Sequence, residues 1–230
     1  MKELLLHSSF FAVFLSLFCY QIGLIIKKRV KFAIFNPLLI SIVLVIVVLI
    51  VLKIPYENYK QNSTYISYFL TPVTVCLAVP LYEQLDLLKH NYQAIFAGLI
   101  GGVIAGLGSV LLLSLLFGLN HELYVTLLPK SVTTAIGIGI SEQLGGVVTI
   151  SVAVIVATGI LGGIMAESLF KIFRINKPIA KGIAIGCASH AIGTAKAIEL
   201  GDVEGAMSSL AIAVTGLFTV VGASIFANFL

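Results

Sequence analysis

The chain consists largely of apolar runs about 20 residues long, the length that a helix needs to cross the hydrocarbon core of a membrane. A transmembrane β-barrel would instead show short segments of alternating polarity. Hydrophobic residues make up 59% of the chain and charged residues 10%, whereas a soluble domain carries about 25% charged residues. These features predict an all-α polytopic membrane protein.

Eight candidate segments follow from the positions of charged and proline-containing breaks. They are residues 8–26, 32–52, 65–85, 93–119, 124–144, 147–170, 179–200 and 205–230. Residues 56–64 are predicted to form a polar loop. The fifth segment has a polar centre, Pro129-Lys130-Ser131, and polar backbone at membrane depth is tolerated only where it is buried in protein or lines a cavity. We therefore expect an interrupted or re-entrant helix there.

Two basic loops constrain the topology. They follow the first and the sixth segments and contain Lys27, Lys28, Arg29 and Lys31, and then Lys171, Arg174, Lys177 and Lys181. Because basic loops favour the cytoplasmic face, the N-terminus is predicted to lie outside. Five complete crossings between the two loops would put them on opposite faces, so we expect that the fifth segment does not cross fully. The prediction is seven full spans plus one re-entrant element, with eight spans as the alternative.

Similar stretches in three parts of the chain predict an internal repeat. Without gaps, Val73-Thr74 and Glu83-Gln84-Leu85 align with Val132-Thr133 and Glu142-Gln143-Leu144. The predicted organisation is one membrane domain over residues 1–230, with an N-terminal helix pair at 1–64 and related helix-pair units at 65–119, 124–170 and 179–230. Secondary transporters are often built from repeats, and interrupted helices in corresponding positions mark their binding sites. Alternatively, the breaks reflect only the frequency of glycine and proline in membrane helices.

Polar residues in the fifth segment and in residues 187–210 are the candidate binding residues. Ionisable groups at membrane depth are costly and usually line a substrate path, and a helix that begins inside the membrane leaves N–H groups free to bind an anion. We predict two such half-helix starts, near Lys130-Ser131 and near Ser189-His190. The predicted binding residues are Lys130, Ser131, Thr133, Thr134, Ser189, His190, Gly193, Thr194 and Lys196, with Thr71, Thr74, Glu142 and Glu199 in supporting or coupling roles.

Several of these residues also have a purely structural interpretation. Lys130 can extend its ammonium group to the membrane interface. Lys196 can pair with Glu199 one helical turn away, and His190 can cap a helix. The two threonines beside Pro72 can satisfy backbone groups that the proline leaves unpaired.

No sequence feature predicts an enzyme, a cofactor or a nucleic-acid partner. Potential metal ligands do not occur at ligand spacing, and neither a phosphate-binding loop nor a G-x-S-x-G motif is present. The net charge of +4 comes from basic loops without interleaved aromatic residues. The three cysteines, Cys19, Cys76 and Cys187, lie in apolar segments and indicate no disulfide framework.

Three motifs resemble one family of bacterial membrane proteins. They are TPVTVCLAVPLYEQL at 71–85, LLPKSVTTAIGIGISEQLGG at 127–146 and ASHAIGTAKAIELGDVEGAMSSLA at 188–211. The chain resembles the LrgB/CidB family over essentially its whole length, and this family is similar to the C-terminal half of the plastid glycolate/glycerate transporter. The resemblance implies a multi-pass protein of the bacterial cytoplasmic membrane and a small membrane partner of the LrgA/CidA type. Members are described as antiholin-like or holin-like regulators of murein hydrolase activity and lysis, and several are linked to transport of pyruvate or related carboxylates.

Two hypotheses about function follow. The leading one is a carrier for small monocarboxylates of the pyruvate, glycolate and lactate class, with the anion held at the ends of interrupted helices. The alternative is an antiholin-like or holin-like oligomer that controls lysis through protein contacts, for which the glycines of the fourth and sixth segments would allow close helix packing. A homo-oligomer, with a dimer as the first expectation, is compatible with both.

Overall fold

A computed structural model describes residues 9–30, 35–69, 72, 75–76 and 78–230 of the chain. Every regular element among these residues is helical. In chain order the α-helices are α1 (Ser9–Arg29), α2 (Pro37–Leu52), α3 (Tyr56–Asn62), α4 (Thr64–Ser67), α5 (Ala78–Glu83), α6 (Leu85–Phe117), α7 (His121–Leu127), α8 (Thr134–Leu144), α9 (Val148–Ile172), α10 (Pro178–Leu200) and α11 (Asp202–Phe226). A 3-10 turn at Ala227–Phe229 follows α11.

Several of these helices are long and apolar enough to cross a membrane. Within the described ranges, the four candidate spans are Phe10–Arg29, Leu85–Phe117, Val148–Ile172 and Asp202–Phe229. Helix α2 is apolar but shorter. The all-α membrane class is therefore confirmed, while the number of complete crossings stays a prediction.

The chain divides into two compact units, Met1–Cys76 and Leu77–Leu230. In the first unit α1 and α2 form a helix pair with an apolar contact. Asn36 caps the second helix, since its side-chain oxygen accepts from the Leu38 N–H at 2.8 Å. Pro37 occupies the first turn, where a missing N–H costs nothing. The buried core of the pair consists of Leu15, Cys19, Val45, Leu49 and Ile54.

The prediction of a polar loop at residues 56–64 was wrong. Residues 56–62 form helix α3, with Glu57 in the first turn and Lys60 in the last, where their charges suit the helix dipole. The Tyr59 hydroxyl lies 2.7 Å from the Ser16 hydroxyl of α1. This tertiary contact stabilises the helix, and the polar composition of the stretch alone does not predict it.

In the second unit α7 and α8 fold back on each other. The Ser151 hydroxyl of α9 lies 2.8 Å from both the Thr126 carbonyl oxygen of α7 and the Ser141 hydroxyl of α8. On one continuous helix, residues 126 and 141 would be about 22 Å apart. The segment is therefore a hairpin whose turn lies at residues 128–133, which confirms the interruption predicted there.

Helix α10 also folds back, at His190. This residue has φ 41° and ψ −142°, which is not helical. Moving away from the turn in either direction along α10, the contacting residues of α11 shift toward the start of that helix. The packed pairs are Gly186–Ser208 and Gly182–Glu204 before the turn, and Thr194–Ser208 and Ile198–Gly205 after it. The two halves of α10 therefore run in opposite directions.

Each half of α10 is about 16 Å long, roughly half of what a span needs. The half-helix start predicted near Ser189-His190 is confirmed, and the structure adds that two segments turn back where the sequence predicted one re-entrant element. The predicted units at 124–170 and 179–230 both begin with a hairpin and continue with a long helix. The internal repeat itself stays a prediction.

Candidate functional site

A cavity of about 1030 Å³ lies between α6 and the first half of α10. The two helices run side by side, since Gly98 approaches Ile183 and, one turn further on, Gly102 approaches Cys187. Gly106 lines the same cavity, and a Cβ atom there would meet nothing within 4 Å. The space therefore results from small residues on α6, and most of the lining is Gly, Ala, Ile and Leu.

Lys130 and Ser131 place the strongest polar groups in this cavity. The half-buried Lys130 ammonium donates to the Ser131 hydroxyl at 3.0 Å. The other polar lining groups are Asn91 and Lys177, and no acidic side chain lines the part of the cavity that the structure describes. The cavity is therefore apolar with a positive potential, which suits a small organic anion.

The turn between α7 and α8 determines where Lys130 and Ser131 lie. The chain leaves α7 through a tight turn in which the Val132 N–H donates to the Pro129 carbonyl oxygen at 3.2 Å. Thr133 is the N-cap residue of α8, and its side chain makes no capping hydrogen bond. Thr133 and Thr134 are half-buried and lie outside the cavity lining. Of the binding residues predicted in this segment, only Lys130 and Ser131 reach the cavity.

The turn of α10 presents its two faces to different surroundings. Cys187 and Ala188 line the cavity. The next two residues, Ser189 and His190, are buried on the other side against α9: the serine hydroxyl contacts Gly162, and the histidine ring contacts Gly159. Both were predicted to bind the anion directly, whereas the structure places them behind the cavity wall.

Thr194 and Gly193 complete the packing of this turn. The Thr194 hydroxyl lies 3.0 Å from the His190 carbonyl oxygen, to which it donates, and 2.7 Å from the Ser208 hydroxyl of α11. Gly193 packs against Ser189, which leaves no room for a side chain. These residues shape the turn, and they do not line the cavity.

Lys196 is held in an ion-pair cluster away from the cavity lining. Its ammonium lies 3.3 Å from a Glu199 carboxylate oxygen, so the predicted pairing within α10 is confirmed. It also lies 2.5 Å from a carboxylate oxygen of Glu167 on α9, a partner that was not predicted. Glu142 is exposed near the end of α8. The other two predicted supporting residues, Thr71 and Thr74, fall outside the described residues.

The sequence reasoning missed part of the cavity lining. Lys177, Asn91 and Cys187 line it, and none was predicted to do so. The glycines of α6 were interpreted as sites of close helix approach, and Gly102 does approach α10, while Gly101 and Gly106 border open space. Their spacing was a visible signal, but it does not distinguish a helix contact from a cavity wall. Across the described ranges, no group of three or more His, Cys, Asp or Glu side chains is placed to hold a metal ion.

These features define a multi-pass helical membrane protein with two folded-back helices and an apolar, cation-bearing cavity. Comparison with known proteins gives the family: a model of the LrgB-like family matches residues 16–229, and the chain belongs to that family. Curated relatives called antiholin-like protein LrgB, from Bacillus mycoides (strain KBAB4) and Bacillus cereus (strain B4264), are each 37% identical over 222 residues. The alignment covers 96% of this chain and 96% of each relative. No solved structure matches the chain.

Proposed function

We propose that this protein is a non-enzymatic carrier for small monocarboxylates of the pyruvate, glycolate and lactate class, binding the anion beside Lys130 and Ser131. The observation that carries the proposal is the half-buried Lys130 ammonium in a cavity whose described lining has no carboxylate. A partly buried ammonium without a carboxylate partner is costly, and a bound anion would compensate its charge. The Ser131 hydroxyl adds a neutral donor, and small apolar residues accommodate the short carbon chain.

The two hairpins support a carrier more than a simple binding protein. Interrupted helices expose unpaired backbone groups at membrane depth, and they serve substrate sites in secondary transporters. Here the turn of one hairpin supplies Lys130 and Ser131, and the turn of the other supplies Cys187 and Ala188 to the same cavity. A movement of either hairpin would therefore change both the access to the anion and its contacts.

Uptake into proteoliposomes tests this proposal. Purified protein should give saturable uptake of labelled pyruvate, glycolate or lactate, and Lys130→Met should remove at least about nine-tenths of it. Lys171→Met is the matched control, because Lys171 is an exposed lysine at the end of α9 that does not line the cavity. Uptake that is unchanged in Lys130→Met would refute the site. The absence of saturable uptake of all three anions would refute the function.

The names of the relatives favour a second candidate function. The names of the relatives support an antiholin-like role. We infer that such a protein would control lysis through contacts with its own copies or with an LrgA-type partner. Exposed apolar side chains are numerous on α1, α2 and α6, and they offer surface for such contacts as well as for lipid. Leakage of large dyes from vesicles, without saturable anion uptake, would favour this function. Anion uptake through intact vesicles that retain the dyes would favour the carrier.

A further inference from the structure

The cavity has a second cation, Lys177, which lies at the beginning of α10. Lys177 precedes Cys187 by ten residues, a distance of about 15 Å along the helix axis. Cys187 and Ser131 both line the cavity and also border one small pocket, so they lie close together. This backbone separation exceeds the length of a carboxylate of two or three carbons, which favours Lys177 and the Lys130-Ser131 pair as separate positions in one cavity.

The charges around Lys177 leave its positive potential uncompensated within the cavity. Neither Lys130 nor Lys177 faces a carboxylate in the described lining. Asp86 lies in α6 just before the residues that line the cavity. It is exposed, and its carboxylate lies 4.0 Å from the Lys89 ammonium. Charged side chains at the rim of a low-dielectric cleft concentrate ions of opposite sign within it.

We propose that Lys177 is an outer anion-binding position, the outer station. Its positive charge attracts small carboxylates into the cavity before they bind at Lys130 and Ser131. The inference rests on the proposed function for its substrate class, and it adds a residue that determines selectivity at the entrance. Binding at Lys177 is weak and salt-sensitive because this side chain is exposed. Binding at Lys130 is tighter because that side chain is half-buried.

Charge-selective labelling tests the station without requiring transport. In a background of Cys19→Ser, Cys76→Ser and Cys187→Ser, the substitution Ala188→Cys places a thiol on the exposed, cavity-lining position next to the inner site. Its rates of modification by an anionic and by a cationic methanethiosulfonate of similar size are compared. The anionic-to-cationic rate ratio should fall about tenfold in Lys177→Glu at low ionic strength, and the fall should shrink at 1 M salt.

The same charge change elsewhere provides the control. Lys171→Glu also replaces a basic residue of the α9–α10 connection region, but Lys171 does not line the cavity, so its rate ratio should stay within about twofold of the parent. Lys177→Gln should give an intermediate ratio, and it provides a second test if the glutamate variant misfolds. A ratio that does not change in Lys177→Glu and Lys177→Gln, or that changes as much in Lys171→Glu, would overturn the inference.

Uptake measurements separate this inference from the proposed function. In a transporting protein, Lys177→Glu should raise the apparent KM about tenfold at low salt with little change in maximal rate, whereas Lys130→Met should lose at least about nine-tenths of the uptake at both low and high salt. Charge-selective labelling without any carboxylate uptake would refute the carrier and retain the outer station. Normal uptake with a charge-insensitive labelling ratio would refute the station and retain the carrier.

Discussion

The Nε2 atom of His190 lies 3.0 Å from the carbonyl oxygen of Ile155. Since a carbonyl oxygen only accepts, this nitrogen carries the proton and donates it. The side chain of Ile155 also packs against Gly137 of α8. One residue of α9 thus contacts both hairpins, and the turn of α10 is positioned relative to α8 through it.

Replacing His190 should lower stability through the loss of this contact. His190→Ala removes a buried ring and its hydrogen bond, and it leaves an alanine at an unfavourable positive φ. We expect the free energy of unfolding to fall by about 1–3 kcal/mol. His190→Gly also loses the ring but relieves the backbone strain, and it should melt at a higher temperature than the alanine variant. Thermal unfolding in detergent measures both. An alanine variant as stable as the parent, or a glycine variant less stable than the alanine variant, would contradict this account of the turn.

Adding a methyl group at Gly186 should separate the first half of α10 from α11. A Cβ atom there would come within 2.5 Å of both the Ser208 carbonyl oxygen and the Ala211 Cβ, and neither atom is the end of a flexible side chain. We expect Gly186→Ala to destabilise the protein by about 1–3 kcal/mol. Gly108→Ala is the control, because a Cβ atom at Gly108 meets nothing within 4 Å. Equal melting temperatures for the two variants would count against the tight contact.

The ion pair between Lys196 and Glu167 should be measurable by a double-mutant cycle. With side chains 26% and 47% exposed, solvent screens the pair only partly, and a coupling of about 0.5–1 kcal/mol is expected from the two alanine substitutions. The pair formed by Asp86 and Lys89 provides the control, because both side chains are largely exposed and their charged atoms are 4.0 Å apart. Its coupling should be close to zero. A coupling between Lys196 and Glu167 no larger than that of the control pair would contradict a stabilising link between α9 and α10.

The hairpin of α7 and α8 predicts a specific topology. Thiols introduced by Glu122→Cys and Gln143→Cys, both at exposed positions, should react with a membrane-impermeant reagent from the same face. The thiol of Asn176→Cys should react from the opposite face, because the 25 residues of α9 are long enough to cross the membrane. Labelling of Glu122→Cys and Gln143→Cys from opposite faces would mean that this segment crosses the membrane completely.

Much of the fold could be predicted from the sequence because its strongest signals are local. The apolar runs predicted the long helices, and the polar centre at Pro129-Lys130-Ser131 predicted the first interruption. A helix start near Ser189-His190 was also predicted from the polar residues around it. That the chain turns back there was not predicted, since the turn depends on the φ and ψ angles of one residue and on contacts with α9 and α11.

The candidate site was predicted only in part for the same reason. Lys130 and Ser131 reach the cavity, whereas Lys196 pairs with Glu167, a residue on another helix that no local pattern connects to it. The place of Lys177 in the lining also depends on how α10 packs beside α6. Spacing within a segment shows which side chains share a helix face, but the neighbour of that face is determined by tertiary packing.

Equilibrium binding of a labelled monocarboxylate to the purified protein tests the anion site at Lys130 and Ser131 without requiring transport or a lysis assay. We expect saturable binding of pyruvate, glycolate or lactate to the unmodified protein and to Lys171→Met, and binding at least about tenfold weaker to Lys130→Met. Binding to Lys130→Met with unchanged affinity, or no saturable binding of any of the three anions, would contradict this site.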